Sequence, residues 1–251
     1  MSVLPYLRAG SGPVLVLVHG YLGGAAQWEN EIKAFSKGFD VIAPNLPGFG
    51  EAGHLEGCAS ISGMALSVLE LLDHLGVSEF TLMGHSMGGM IAQEMAALRP
   101  DVVQKLVLYG TGPLGLMPDR FEPITVSSER LQSDGVAKTI ARIGATWFKA
   151  EKAAPGYPLL IDIGAQASDQ AAMAALGAMA NWDGRDALGQ LTMPTLVIWG
   201  DSDKSYRWPQ VESLWTNIPE VYLSVVPGTA HAVHLEKPVL FHSIVDDFLR
   251  V

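Results

Sequence analysis

Short, nearly continuous apolar runs alternate along this chain with longer stretches whose apolar residues recur at helical spacing. The runs Val3 to Arg8, Val14 to Val18, Val41 to Ala43, Phe80 to Met83, Lys105 to Tyr109, Thr195 to Trp199 and Val221 to Val225 read as strands. Helical spacing predicts helices over Ala26 to Ser36, Ile61 to Leu75, Met87 to Leu98, Trp208 to Trp215 and Val239 to Leu249. Strands apolar on both faces, each followed by a helix, predict an α/β chain: a doubly wound, mainly parallel sheet of about seven strands covered on both sides. The alternation stops between Pro113 and Asp186, where helical spacing dominates, notably over Val136 to Phe148 and Ser168 to Met179, with Pro118, Pro123, Pro155 and Pro158 marking boundaries. The expected organisation is therefore a core domain of residues 1–112 and 187–251 with a helical insertion, 113–186, roofing the sheet's C-terminal edge.

Composition narrows the partners. At 251 residues and 49% apolar content the chain can bury one large core. A formal net charge of −10 argues against nucleic acid and anionic membranes, which attract basic surfaces. No apolar run approaches the roughly 20 residues that span a bilayer. The single cysteine, Cys58, cannot form an internal disulfide, and no secretory signal is visible at the start, so a cytoplasmic location and a small-molecule partner are expected. Nothing in the pattern sets an oligomeric state.

The chemistry concentrates where strand Phe80 to Met83 runs into Gly84-His85-Ser86-Met87-Gly88 and then a helix. A serine hydroxyl is a weak nucleophile unless a sharp turn holds it out of the protein body, and a strand-to-helix turn with glycines two residues either side does that. With 27 glycines in the chain the pentapeptide alone carries little weight; its strand-turn-helix setting carries more. The N–H of Met87, at the helix N-terminus, is a candidate oxyanion donor. Strand Val14 to Val18 ends in His19-Gly20-Tyr21, which brings the Tyr21 N–H to the same sheet edge as a second donor.

A base and an acid follow in the order serine, acid, histidine. The strand ending at Trp199 opens into Gly200-Asp201-Ser202-Asp203, where Asp203 can point back over the sheet; Asp201 is the alternative, or a turn former bonded to nearby backbone. The strand ending at Val225 leads through Pro227-Gly228-Thr229-Ala230 to His231, with His234 as the competing histidine. His19 and His85 read as braces, and His54, His74 and His242 as solvated. No histidine pair has metal-ligand spacing, so neither metal nor cofactor is expected.

These segments, together with Leu46-Pro47-Gly48-Phe49-Gly50, resemble the α/β-hydrolase fold family over nearly the whole chain. The resemblance supports Ser86, Asp203 and His231 as a triad and places the insertion after the family's sixth strand. Asn45 stands where relatives often carry aspartate, and Gly110-Thr111-Gly112 offers no alternative acid after Tyr109. The implied activity is cleavage of small or medium acyl esters or lactones through an acyl-enzyme. Carbon-carbon cleavage of a dienone acid from aromatic-ring degradation is the alternative, which would need a cation near the pocket; a non-catalytic ligand receptor is the third reading. Candidate pocket residues are Met90, Met117, Phe121, Trp147, Phe148, Met173, Met179 and Trp182, while Arg120, Arg130, Arg142, Lys149 and Arg185 are candidate anchors for a substrate carboxylate.

Overall fold

A computed structural model describes residues 3–117 and 119–250. Seven strands form one sheet: β1 (Tyr6–Gly10), β2 (Val14–Val18), β3 (Asp40–Pro44), β4 (Phe80–His85), β5 (Val103–Tyr109), β6 (Thr195–Gly200) and β7 (Val221–Val226), in the spatial order β1-β3-β2-β4-β5-β6-β7. Only β1 runs antiparallel, against β3; the others are parallel. Leu15, Val16, Leu17 and Val18 are fully buried, which is why central strands read as unbroken apolar runs. β1 begins at Tyr6, not Val3, because the ladder starts at the Tyr6–Pro44 pair and the Pro5 carbonyl instead accepts the Asn45 N–H at 2.8 Å.

Helices α1 (Glu29–Phe35), α2 (Ile61–His74), α3 (Met87–Leu98), α4 (Ile124–Ile143), α5 (Tyr157–Gly164), α6 (Asp169–Ala180), α7 (Trp208–Asn217), α8 (Val233–Glu236) and α9 (Pro238–Arg250) complete the fold. Two apolar layers flank the sheet. One holds α2, α3 and α7 residues such as Val68, Met95 and Leu214; the other holds Phe35, Phe241 and Val245 from α1 and α9. α2 buries Ile61, Met64, Ala65, Val68, Leu69 and Leu72, an i, i+3, i+4, i+7 stripe, and Ser60 caps its start by accepting the Gly63 N–H at 3.0 Å. The helix expected from Ala26 opens as a 3₁₀ turn over Ala25–Trp28 before α1.

The described residues between β5 and β6 add no strand to the sheet. α4 is two helices joined at Gly135, whose φ of 73° and ψ of 171° interrupt the helix. Its second half starts at Val136, as the pattern predicts, with the Val136 N–H donated to Asp169 Oδ1 at 2.8 Å. That half stops at Ile143 and a 3₁₀ turn covers Gly144–Trp147, so the expected helix to Phe148 is shorter. α6 starts where expected, with Ser168 accepting the Ala171 N–H. Pro118, expected to mark a boundary, lies outside the described residues.

Candidate active site

The C-terminal ends of β2 and β4 lie side by side at the point where strand order reverses, the crevice in which open α/β sheets bind ligands. Ser86 sits there as the N-cap of α3, with φ 58° and ψ −122°. Such a conformation costs a non-glycine residue of the order of 1–3 kcal/mol and persists only where the surroundings enforce it. They do: a β-carbon on Gly84 would collide with the Gly88 carbonyl, and one on Gly88 with the Val18 carbonyl. The Ser86 N–H donates to the Tyr109 carbonyl at 2.9 Å, and Thr111 Oγ1 donates to the Ser86 carbonyl at 2.8 Å, fixing the turn from the β5 side.

From the far side of the sheet edge, β6 and β7 deliver Asp203 and His231. His231 Nδ1 lies 2.8 Å from Asp203 Oδ2, and both side chains are buried. A carboxylate at that distance makes Nδ1 the donor and leaves Nε2 as the nitrogen able to accept a proton. Asp203 Oδ1 accepts the Ser205 N–H at 2.6 Å and the Tyr206 N–H at 3.2 Å, which holds the carboxylate in place. The His231 carbonyl accepts Tyr109 Oη at 2.9 Å and His85 Nε2 at 3.2 Å. His85, immediately before Ser86, lays its ring against that of His231 at 4.6 Å, and the Tyr206 ring stacks on His231 at 5.7 Å and 14°. Ser86 Oγ is not hydrogen-bonded to His231 in this arrangement.

Asp201 takes the turn-forming alternative. It is exposed, and its Oδ1 accepts the Gly228 N–H at 2.8 Å, a bond that lowers its pKa and joins the β6 loop to the β7 loop. His234 is fully buried, 2.9 Å from Tyr109 Oη through Nδ1, and burial pushes its pKa down to about 4. His19 is likewise neutral, with a pKa near 4 from burial; its Nε2 accepts the Leu46 N–H and its Nδ1 donates to the Gly20 carbonyl at 2.8 Å. It braces the loop that carries Tyr21. Asn45 keeps its loop in shape by accepting the Ala25 N–H at 2.9 Å. A β-carbon on Gly20 would come within 2.8 Å of Ser86 Cβ, so the two strand ends approach as closely as backbone allows.

Ser86 opens onto a cavity of about 20 Å³ lined by Tyr21, Met117, Arg120, Ile143, Trp147, Met179, Ser205 and Tyr206. Of the expected pocket residues Met117, Trp147 and Met179 are on its wall. Met90 and Phe148 are wholly buried in the core, Met173 packs against that core, Phe121 lies under the Arg120 guanidinium at 4.3 Å, and Trp182 donates its indole N–H to Glu94 at 3.1 Å. Tyr206 and Ser205, which the sequence reading passed over, come from the irregular segment between β6 and α7 and carry no periodic signal. Larger surface depressions, of about 670 and 450 Å³, lie away from Ser86. Among the described residues no group of three or more histidine, cysteine or acidic side chains could hold a metal ion.

A family model for the alpha/beta hydrolase fold matches residues 13–143, more than half of the chain. The chain belongs to the α/β-hydrolase family. It is 28% identical to a pimeloyl acyl-carrier-protein methyl ester esterase of Vibrio vulnificus, over 95% of this chain and 94% of that protein. It is also 27% identical, over 95% of this chain and 94% of the relative, to a Pseudomonas savastanoi protein named as a carbamate hydrolase. The enol-lactonase of Burkholderia xenovorans superposes with a TM-score of 0.91 at 22% identity, covering 99% of this chain and 96% of the other, a likeness of fold. This α/β-hydrolase is an enzyme with hydrolases for relatives, and among its described residues no helix is long and apolar enough to cross a membrane.

Proposed function

We propose that this α/β-hydrolase cleaves carboxylic esters, lactones included, through Ser86, His231 and Asp203. The observation that carries the reading is the buried Asp203–His231 pair at 2.8 Å, set at the same sheet edge as a serine held at φ 58°. His231 Nε2 takes the Ser86 proton as Oγ attacks the carbonyl carbon, and Asp203 stabilises the imidazolium that forms. The N–H groups of Tyr21 and Met87 receive the negative charge on the carbonyl oxygen. Collapse of the tetrahedral intermediate breaks the bond to the alcohol, which takes the proton from His231 and leaves an acyl-Ser86 ester. A water deprotonated by His231 then attacks that ester, releasing the acid and restoring the serine. Catalytic hydrogen bonds are often open before substrate arrives, which accommodates the unbonded Ser86 hydroxyl.

Residues 113–186 act in this reading as a cap. Met117, Arg120, Ile143, Trp147 and Met179 form the roof of the cavity, and 20 Å³ is room for about one water, so the roof must part to admit an ester. The Ala232 N–H donates to the Trp147 carbonyl at 2.9 Å, fastening the roof to the loop that carries His231. The esterase and carbamate hydrolase relatives support attack on an acyl carbon joined to oxygen or nitrogen. One observation favours carbon-carbon cleavage of a dienone acid as a second reading: Arg120 supplies a cation on the cavity wall.

The test is hydrolysis of p-nitrophenyl esters of increasing acyl length by the protein and by Ser86→Ala. Turnover that the substitution abolishes supports the proposal, and the length profile sizes the pocket. A protein inert toward every ester, but able to bleach the absorbance of a dienone acid, would replace the first reading with the second.

A further inference from the structure

Three guanidinium groups gather beside the cavity around Glu122, and two of them reach its carboxylate. Arg142 Nη1 takes both oxygens of Glu122, at 2.7 and 2.8 Å, and Arg130 Nη1 reaches Oε2 at 3.0 Å. Arg120, the only one of the three on the cavity wall, donates through Nη1 to the Glu122 backbone carbonyl at 2.8 Å and to Ser127 Oγ at 2.9 Å, and not to the Glu122 carboxylate. Among the described residues it joins no ion pair. The cluster thus holds three positive charges against one negative in a chain whose net charge is −10. Like-charged groups brought together under partial burial destabilise a fold unless something compensates.

Two further groups on the same wall are incomplete. Tyr21 and Tyr206 are 5% and 1% exposed, and neither hydroxyl has a hydrogen-bond partner. Buried hydroxyls are normally paired, and an unpaired one costs about 1–3 kcal/mol. Arg120, Tyr21 and Tyr206 line the same cavity, and both phenols lie close enough to the guanidinium to bear on its charge. All of these groups can donate, and no carboxylate side chain lines that volume. Burial already works against the Arg120 charge by lowering its pKa, and a nearby anion would offset that.

We infer that this wall is an anion subsite: Arg120 with the Tyr21 hydroxyl holds a free carboxylate on the substrate while Ser86 attacks a carbonyl elsewhere in the same molecule. The inference rests on the serine-hydrolase reading and narrows its substrate class to esters or lactones that carry a carboxylic acid. Tyr206, closer to Ser86, completes the donor array at the reacting end. A carboxylate suits the site because it only accepts hydrogen bonds and offers about four lone-pair positions to a guanidinium and a phenol.

The test compares p-nitrophenyl pentanoate with the p-nitrophenyl monoester of glutaric acid, nearly isosteric substrates that differ in a terminal carboxylate. The protein is expected to favour the acid ester by roughly 100-fold in kcat/KM, and Arg120→Met to remove that preference, the scale of losing one partner of a buried, hydrogen-bonded charge pair. Tyr21→Phe, which removes only a hydroxyl, should lower it by about three- to tenfold. Binding is read separately: glutarate should raise the melting temperature of Ser86→Ala and leave that of Ser86→Ala with Arg120→Met unchanged. No preference for the acid ester, or a preference that survives Arg120→Met, overturns the subsite while leaving ester hydrolysis intact. Glutarate stabilisation without turnover of either ester overturns ester hydrolysis and keeps the subsite.

Discussion

The floor and the wall of the cavity over Ser86 satisfy their polar groups differently. On the floor, Asp203 accepts three hydrogen bonds, from His231, Ser205 and Tyr206, and the His231 carbonyl accepts two. Glu236 steadies the same loop, taking the Ala230 N–H at 2.6 Å and the Lys149 N–H at 2.8 Å. On the wall, two phenols are buried without partners, and among the described residues the Arg120 guanidinium joins no ion pair. The acid and the backbone that hold His231 are fully bonded within the protein, whereas the groups that meet one particular substrate stay open until it arrives. Rigidity is placed where the chemistry is generic, and unsatisfied donors where recognition is specific.

Removing the nucleophile breaks the floor most completely. Ser86→Ala should lower kcat on the best ester by about 10⁵- to 10⁶-fold with the fold retained, since triad members act as a unit. Alanine keeps the β-carbon and so the strain at φ 58°, and the serine side chain makes no cap hydrogen bond to lose, so the melting temperature should stay level. A variant that keeps more than about a tenth of the wild-type rate would remove Ser86 from the mechanism.

The two aspartates of the β6 loop give the next largest effect and separate chemistry from scaffolding. Asp203→Asn retains the shape but favours the wrong tautomer of His231 and should cost about 10⁴-fold in kcat. Asp201→Asn weakens an exposed tie to Gly228 and should lower kcat by less than about threefold, with a small fall in melting temperature. Reversal of the two results would transfer the acid to Asp201.

Acid should loosen the floor before the wall. His19 and His234 are buried neutral with pKa values near 4, below the ordinary 6.5, and burial depresses His85 as well. Below pH 6.5 the unfolded chain therefore binds protons that the folded protein refuses. Their stabilising contribution is complete above pH 6.5 and declines as pH falls toward 4, by about 1.4 kcal/mol per pH unit for each residue. Urea midpoints between pH 7 and 4.5 should follow that slope, and His234→Phe should flatten it. A midpoint independent of pH over this range would mean that these rings are accessible to protons.

The same division explains what could be read from the chain. β2, β4 and β6 are legible because a parallel strand buried on both faces leaves an uninterrupted apolar run such as Val14 to Val18. The turn around Ser86 is legible because close backbone approach demands glycine at 84 and 88. In the insertion, the half of α4 before Gly135 and the whole of α5 went unassigned. The first is polar along much of its length, and the second is a short apolar run, Tyr157–Gly164, that periodicity cannot assign. Trp147 could be placed over the site from its position in the insertion. Tyr206 could not, because it belongs to a loop whose direction is set by the Asp203 bonds rather than by any repeat.

Tyr206 is also where floor and wall meet, and the smallest expected effect is the most informative about their boundary. Its N–H donates to Asp203 and its ring stacks on His231, both floor contacts that Tyr206→Phe preserves. Its hydroxyl, buried and unpaired near Ser86 and Thr111, belongs to the wall, and only that group is lost. Deleting an unsatisfied buried hydroxyl spares the unliganded protein a desolvation cost, so the substitution should stabilise it by about 1 kcal/mol in urea denaturation. If the hydroxyl contacts the reacting end of the substrate, kcat should fall roughly tenfold at the same time. Stability and activity then move in opposite directions, as expected of a donor held open for a ligand. Loss of stability with unchanged kcat would instead make the hydroxyl part of the protein's internal bonding and shift the boundary of the wall to Tyr21 and Arg120.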